Sequence, residues 1–159
     1  MTAELNDSRK TREAPQKPRV YVAGDLITEA VRQQMQEITA ELERQGFEVF
    51  LPGRDAGLLR EENLHGVETR KELFKPIFER DIVEIEKADY YICILDGLCF
   101  GTSLELGYAY AVKKLLKPSL KIVGIYTDLR GTDSLDLMRT YACDMIYTSM
   151  RDLPRLIQQ

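Results

Sequence analysis

The sequence predicts an α/β domain built on an open, parallel, five-stranded sheet with helices on both faces, a three-layer sandwich. Two observations carry this. Segments with strand character alternate along the chain with segments of helical periodicity, the order that produces a parallel sheet through crossover connections. One strand, Tyr90-Tyr91-Ile92-Cys93-Ile94-Leu95, is apolar without interruption, as expected where both faces of a parallel sheet are covered.

Residues 1 to 18 are polar, carry charges of both signs and include Pro15 and Pro18. Such a segment buries too little apolar surface to offset the entropy of ordering, so a flexible tail is expected, followed by a single domain over residues 19 to 159. The domain opens with the β-rich run Arg19-Val20-Tyr21-Val22-Ala23, ended by Gly24-Asp25. Ile27, Val31, Met35, Ile38 and Leu42 then recur at helical spacing up to a stop at Gly46. Phe47 to Leu51 reads as a second strand, broken by Pro52-Gly53, and the polar stretch onward to Arg70 reads as a long loop of the kind that tends to be functional.

Between Lys71 and Lys87, Phe74, Phe78, Ile82 and Ile85 mark a second helix. A proline is tolerated only in a first turn, so this helix is expected to start near Pro76. The apolar strand at Tyr90 belongs in the sheet centre. A helix follows from about Ser103 to Leu115, then a strand from Lys121 to Tyr126, a short helix around Asp136 to Tyr141, a strand at Met145-Ile146-Tyr147 and a closing helix from Arg151. Parallel sheets bind ligands outside the carboxyl ends of their strands, so the loops after Ala23, Leu51, Leu95 and Tyr126 should ring the pocket.

Composition narrows the function. The net charge of −4 comes from 26 acids and 22 bases with no basic run, which gives no footprint for a nucleic acid polymer. No apolar stretch approaches the roughly 20 residues of a membrane span, and the first residues are charged where a signal peptide needs an apolar core, so no membrane is expected and the cytoplasm is. Cys93, Cys99 and Cys143 form no CxxC pair and His65 is the sole histidine, so reduced thiols and no structural metal are expected.

Two acids stand out. At about 100° per residue Asp81 falls inside the apolar stripe of its helix, close to Ile85. It is either a stripe-edge residue turned to solvent or an acid lining a cavity. Glu105 lies in Gly101-Thr102-Ser103-Leu104-Glu105, and Thr102-x-x-Glu105 is also the pattern of a helix capping box, which requires no catalysis. Against that reading, Gly101 lets a backbone or ligand approach closely, and a helix amino terminus favours developing negative charge.

From Arg19 onward the ordered segments resemble the nucleoside 2-deoxyribosyltransferase family: Tyr21-Val22-Ala23-Gly24 at the first turn, Asp81 through Asp89 between helix and strand, Leu95-Asp96-Gly97 after the central strand, and Gly101-Thr102-Ser103-Leu104-Glu105-Leu106-Gly107-Tyr108-Ala109. The late Asp136-Leu137-Met138 is similar to an Asn-Leu-Met segment that some members place in a neighbouring subunit's site. The resemblance implies a flavodoxin-like sandwich, no cofactor, 2′-deoxyribonucleosides and free nucleobases as partners, and a homo-oligomer whose subunits complete each other's sites. It implies Glu105 as the nucleophile at the anomeric carbon, Asp81 binding the base or managing its proton, and Tyr21 positioning nucleophile and sugar, although Tyr21 also reads simply as a core aromatic. Gly24, Asp96, Cys99, Gly101, Thr102, Asp136 and Met138 are the implied substrate contacts.

The match has gaps. Cys99 stands where many members have a base-contacting aspartate, which leaves Asp96 as a substitute from a shifted backbone and Cys99 as a small apolar loop residue. Hydrolysis of deoxynucleoside 5′-monophosphates is the first alternative. Asp25 in the first loop would repel the phosphate, while Ser103 and Ser134 speak weakly for it. Phosphoribohydrolases that release cytokinin bases share Gly-Thr-x-x-Glu but precede it with Pro-Gly-Gly, where this chain has Leu98-Cys99-Phe100. A catalytically silent nucleoside or nucleotide binder is the reading from another class. Base preference rests on the 51 to 70 segment, with a lean toward purines.

Overall fold

The computed structural model describes residues 16–57, 67–127 and 137–153. The elements in chain order are β1 (Arg19–Ala23), α1 (Glu29–Arg44), β2 (Glu48–Phe50), α2 (Pro52–Asp55), α3 (Val67–Lys87), β3 (Tyr90–Ile94), α4 (Phe100–Leu115), β4 (Lys121–Ile125), α5 (Leu137–Ala142) and β5 (Met145–Tyr147), followed by a 3₁₀ turn at Met150–Asp152. The five strands form one sheet in the order β2-β1-β3-β4-β5, and every pair is parallel. The predicted architecture is the observed one. The order reverses between β1 and β3, which makes the carboxyl ends of those two strands the natural ligand crevice.

Alternation along the strands splits the interior into two cores. Val20, Val22, Ile92 and Ile94 face α1, which buries Val31, Met35, Ile38 and Leu42 against them. Tyr21, Ala23, Tyr91 and Cys93 face the other way, onto Ile85 of α3 and Leu106, Ala109 and Val112 of α4. The sequence period that marks α1 is therefore the face that packs from Val31 onward, whereas Ile27 precedes the helix and is exposed. Its end is a Schellman turn: Gly46, at a φ of 92°, donates to the Glu43 carbonyl, and Phe47 donates to that of Leu42.

Three expectations need correction. Helix α3 starts at Val67, well before Pro76, which sits inside it. A proline there deletes one amide donor and crowds the carbonyl four residues back, but Glu72 and Pro76 both lie on an exposed stretch where water can take up the freed carbonyl. The long loop is consequently shorter than expected, with helix α2 at one end and α3 at the other. Helix α4 begins at Phe100 rather than Ser103, with Cys99 as its N-cap. The expected tail up to residue 15 lies outside the described residues, as does the remainder of the closing segment beyond Leu153.

Gly124, in β4, packs where no side chain fits. A Cβ there would lie 2.7 Å from Leu95 Cδ1, 3.1 Å from Cys143 Sγ and 3.3 Å from Ile146 Cγ1. Gly124→Ala should therefore destabilise the fold by about 1–3 kcal/mol, the usual cost of overpacking, in urea unfolding. An unchanged midpoint would show that this layer has slack.

Candidate active site

Glu105 is placed by the start of α4. Cys99 is the extended residue before the helix, and its Sγ accepts from the Thr102 amide at 3.5 Å, while Ser103 Oγ donates to the Cys99 carbonyl at 3.0 Å. The capping box is not formed: Thr102 lies inside the first turn and its buried Oγ1 has no hydrogen-bond partner. Free of a capping role, the Glu105 side chain turns toward the sheet, where the Tyr21 hydroxyl donates to its Oε1 at 2.9 Å. Tyr21, itself fully buried, thus does more than fill the core.

Asp81 comes to the same place from α3. It lies one turn before the buried Ile85, and its buried Oδ1 has no hydrogen-bond partner. Asp81 as a whole is half-buried, so it stands at the edge of the buried stripe with one carboxyl oxygen out of water. Tyr108, whose hydroxyl donates to Glu86 Oε1 at 2.5 Å, links α4 to α3, the two helices that carry the acids.

Burial raises both carboxyls. Glu105 is pushed up to about 7, chiefly by desolvation, with the Tyr21 hydrogen bond acting against the shift and the charge of Asp81 adding to it. Asp81 is pushed up to about 6, again by desolvation, opposed by the neighbouring Arg80. Desolvation also drives the Tyr21 phenol far above its ordinary value, helped by Glu105 and Asp81, so it remains a donor. Desolvation is thus the main cause for both carboxyls, and the charge of Asp81 adds only a smaller push on Glu105.

The other sequence-predicted contacts are distributed unevenly. Gly101 is exposed at the mouth of α4, and Gly24 is buried where a Cβ would meet Met35 Sδ at 2.7 Å, so its small size also serves packing. Asp96 is clasped by Thr127, whose amide and hydroxyl donate to its two oxygens at 2.7 and 2.5 Å. Met138 is 76% exposed on α5, and Asp136 and Ser134 lie outside the described residues. Sequence reasoning missed Arg139, which is buried and donates from Nη1 to the carbonyls of Leu95 and Gly97, both at 3.1 Å, holding the loop after β3. Nothing local marks this grip, because the two carbonyls lie more than forty residues away. No group of three or more potential metal ligands occurs among the described residues.

The family profile described as nucleoside 2-deoxyribosyltransferase matches residues 20–147, which takes in β1 through β5 and every carboxyl just described. The chain belongs to this family. The match supports a transferase of pentosyl groups acting on small nucleosides and nucleobases. An uncharacterized protein of Ureaplasma parvum is 34% identical over 122 residues, 72% of this chain and 73% of that one. Two solved structures share the deoxyribosyltransferase fold. A conserved protein from Enterococcus faecalis V583 superposes with a TM-score of 0.69 at 20% identity, covering 91% of this chain and 99% of that one. A 2-deoxyribosyltransferase from Bacillus psychrosaccharolyticus superposes at 0.63 with 22% identity, covering 85% and 89%.

The buried acid has a thermodynamic signature. A carboxyl whose folded pKa is raised binds its proton more tightly folded than unfolded, so its stabilising contribution is full below the unfolded value and is lost as pH rises through the folded one. For Glu105 that window runs from 4.5 to about 7. Glu105→Gln should therefore gain stability relative to the parent protein between about pH 5 and pH 8, by roughly 3 kcal/mol. A difference that stays constant in urea titrations across that range would mean Glu105 is not desolvated.

Proposed function

We propose that this deoxyribosyltransferase exchanges the base of 2′-deoxyribonucleosides through a covalent deoxyribosyl ester on Glu105. The observation that carries the reading is the Tyr21–Glu105 hydrogen bond, made to a buried carboxyl that shares its surroundings with Asp81.

In the productive form Glu105 is ionised and Asp81 protonated. In the free protein Glu105 holds its proton more tightly than Asp81, about 7 against about 6, so this form is reached only when Glu105 passes its proton on; the hydroxyl of Tyr21, which donates only to Glu105, lowers that cost. Glu105 attacks the anomeric carbon as the glycosidic bond breaks, and its negative oxygen stabilises the oxocarbenium-like state before bonding to it. The departing base takes the bonding electron pair, and Asp81 supplies its proton. A second base then attacks from the original face, which restores the β configuration and frees Glu105; attack by water gives net hydrolysis. Two inversions give retention.

Asp96 is bonded by Thr127 and the Cys99 thiol accepts from the Thr102 amide, so the base-side chemistry falls to Asp81. Asp25 keeps a low pKa through its hydrogen bond from Thr28 and would repel a 5′-phosphate at the first loop, which favours free nucleosides. Apolar side chains are exposed on the loop after β3, on the first turns of α4 and on α5: Leu98 at 85%, Phe100 at 89%, Leu104 at 66% and Met138 at 76% exposed. A second copy of the chain would cover them, in keeping with subunits that complete each other's sites.

Incubation with deoxyinosine and free adenine should yield deoxyadenosine and hypoxanthine. Glu105→Ala should abolish exchange, Asp81→Asn should slow it about 10²–10⁴-fold, and Tyr21→Phe about 10–100-fold. Deoxyribose without deoxyadenosine would make the protein a hydrolase. Full activity in Glu105→Ala would refute the mechanism, and inertness toward purine and pyrimidine donors alike would favour a silent binder.

A further inference from the structure

The hydroxyl that holds Glu105 sits at the tip of a ring sandwiched between two others. Tyr21 is in register with Phe50 of β2 on one side and with Tyr91 of β3 on the other. Residues paired this way in parallel strands point to the same face, so the three rings line up across three adjacent strands. The Tyr21 ring lies 5.4 Å from Phe50, with the planes 27° apart, and 5.6 Å from Tyr91, with the planes 15° apart. Both are stacked arrangements.

We propose that Phe50 and Tyr91 are positioning residues that hold the Tyr21 hydroxyl on Glu105 by clamping its ring from both sides. The inference rests on the reading of Glu105 as the nucleophile. The phenol oxygen stands at the end of a rigid lever, so a small rotation about the Tyr21 side-chain bonds carries it out of hydrogen-bond range. A reacting group must be held to about 0.5 Å for catalysis, and a supporting layer supplies that precision. Without the clamp, Tyr21 can still fill the core while donating elsewhere.

Two details separate this from ordinary packing. Tyr91 is fully buried, yet its hydroxyl has no hydrogen-bond partner, so what it gives the site is its ring. Phe50 is only half-buried on the edge strand, and the Arg80 guanidinium lies 5.6 Å over its ring. Arg80 in turn acts on Asp81, holding its carboxyl down against desolvation. Phe50 therefore touches the supports of both acids, through Tyr21 to Glu105 and through Arg80 to Asp81.

The test reads the titration of Glu105 by carbon NMR in protein labelled at the glutamate carboxyl, with Glu105→Gln to assign the signal, alongside base exchange. The charged and titratable groups that face Glu105 are Tyr21 from β1, Asp81 from α3, and Tyr91 and Cys93 from β3. Because the Tyr21 hydrogen bond lowers the Glu105 pKa, Phe50→Leu and Tyr91→Leu should move its midpoint upward, in the direction given by Tyr21→Phe. They should also cut kcat about tenfold, the equivalent of one weakened hydrogen bond, with KM little changed. Phe50→Tyr and Tyr91→Phe keep the rings and should restore both readouts. Phe47→Leu, in the core on the opposite face of the sheet, should lose stability without moving either.

An unmoved midpoint and unmoved kcat in Phe50→Leu would overturn the proposal, and that variant decides the matter if Tyr91→Leu fails to fold. If the parent protein exchanges no base but the midpoint still moves, the clamp stands and the proposed reaction falls. If exchange proceeds while the midpoint and kcat of both leucine variants match the parent, the reaction stands and the clamp falls.

Discussion

A carboxyl taken out of water with one hydrogen-bond donor is the constraint on which the site depends. Glu105 has Tyr21 for that donor, and desolvation outweighs the bond, so the acid titrates near 7 rather than in its ordinary range. Asp81 has a buried oxygen with no partner, and it rises for the same reason. Neither arrangement serves stability, since a buried acid without full compensation costs free energy. What it gains is two carboxyls whose protonation states lie close to neutrality, as acid–base or nucleophilic chemistry would need.

The sheet supplies the rigidity this requires. β1 and β3 are interior strands, paired on both sides, and they carry Tyr21 and Tyr91. The two helices that bring the carboxyls, α3 and α4, pack on that same face through Ile85, Leu106, Ala109 and Val112 and are tied together by Tyr108 and Glu86. Glu105 thus reaches the sheet from above while its donor reaches up from within it. The reversal of strand order at β1 and β3 leaves room beyond their carboxyl ends, where the exposed Gly101 marks the opening.

Much of this was legible along the chain. The unbroken apolar run at β3 and the spacing of Val31, Met35, Ile38 and Leu42 are local periodicities, and local periodicity is what burial of one face imposes. Asp81 was visible as an acid in the wrong angular position. Glu105 could not be separated from a capping residue, because Thr102-x-x-Glu105 serves either purpose and only the extended conformation of Cys99 shows which residue caps. The span of α3 through Pro76 ran against propensity, since exposure of that stretch lowers the cost of the missing amide. The ring stack, the Tyr21–Glu105 contact and the grip of Arg139 on the loop after β3 join residues far apart in sequence, and no periodicity records such contacts.

The aspartates show most clearly what geometry adds. Asp25, Asp55, Asp89, Asp96 and Asp144 each accept a hydrogen bond from a backbone amide, respectively of Ile27, Leu51, Arg19, Thr127 and Ile122. They close turns and pin strand ends. Burial pushes Asp55, Asp89 and Asp144 upward, but these hydrogen bonds and the neighbouring Arg54, Lys117 and Lys113 more than offset it, and all three end below the ordinary carboxylate range. Asp81 has neither a backbone donor nor a paired cation at hydrogen-bond distance, and it moves the opposite way. In sequence these six residues are the same letter, and their neighbours do not say which one lacks a backbone donor. The fold holds five of them on backbone amides in structural work and leaves one half-buried with its carboxyl raised, its charge acting on that of Glu105.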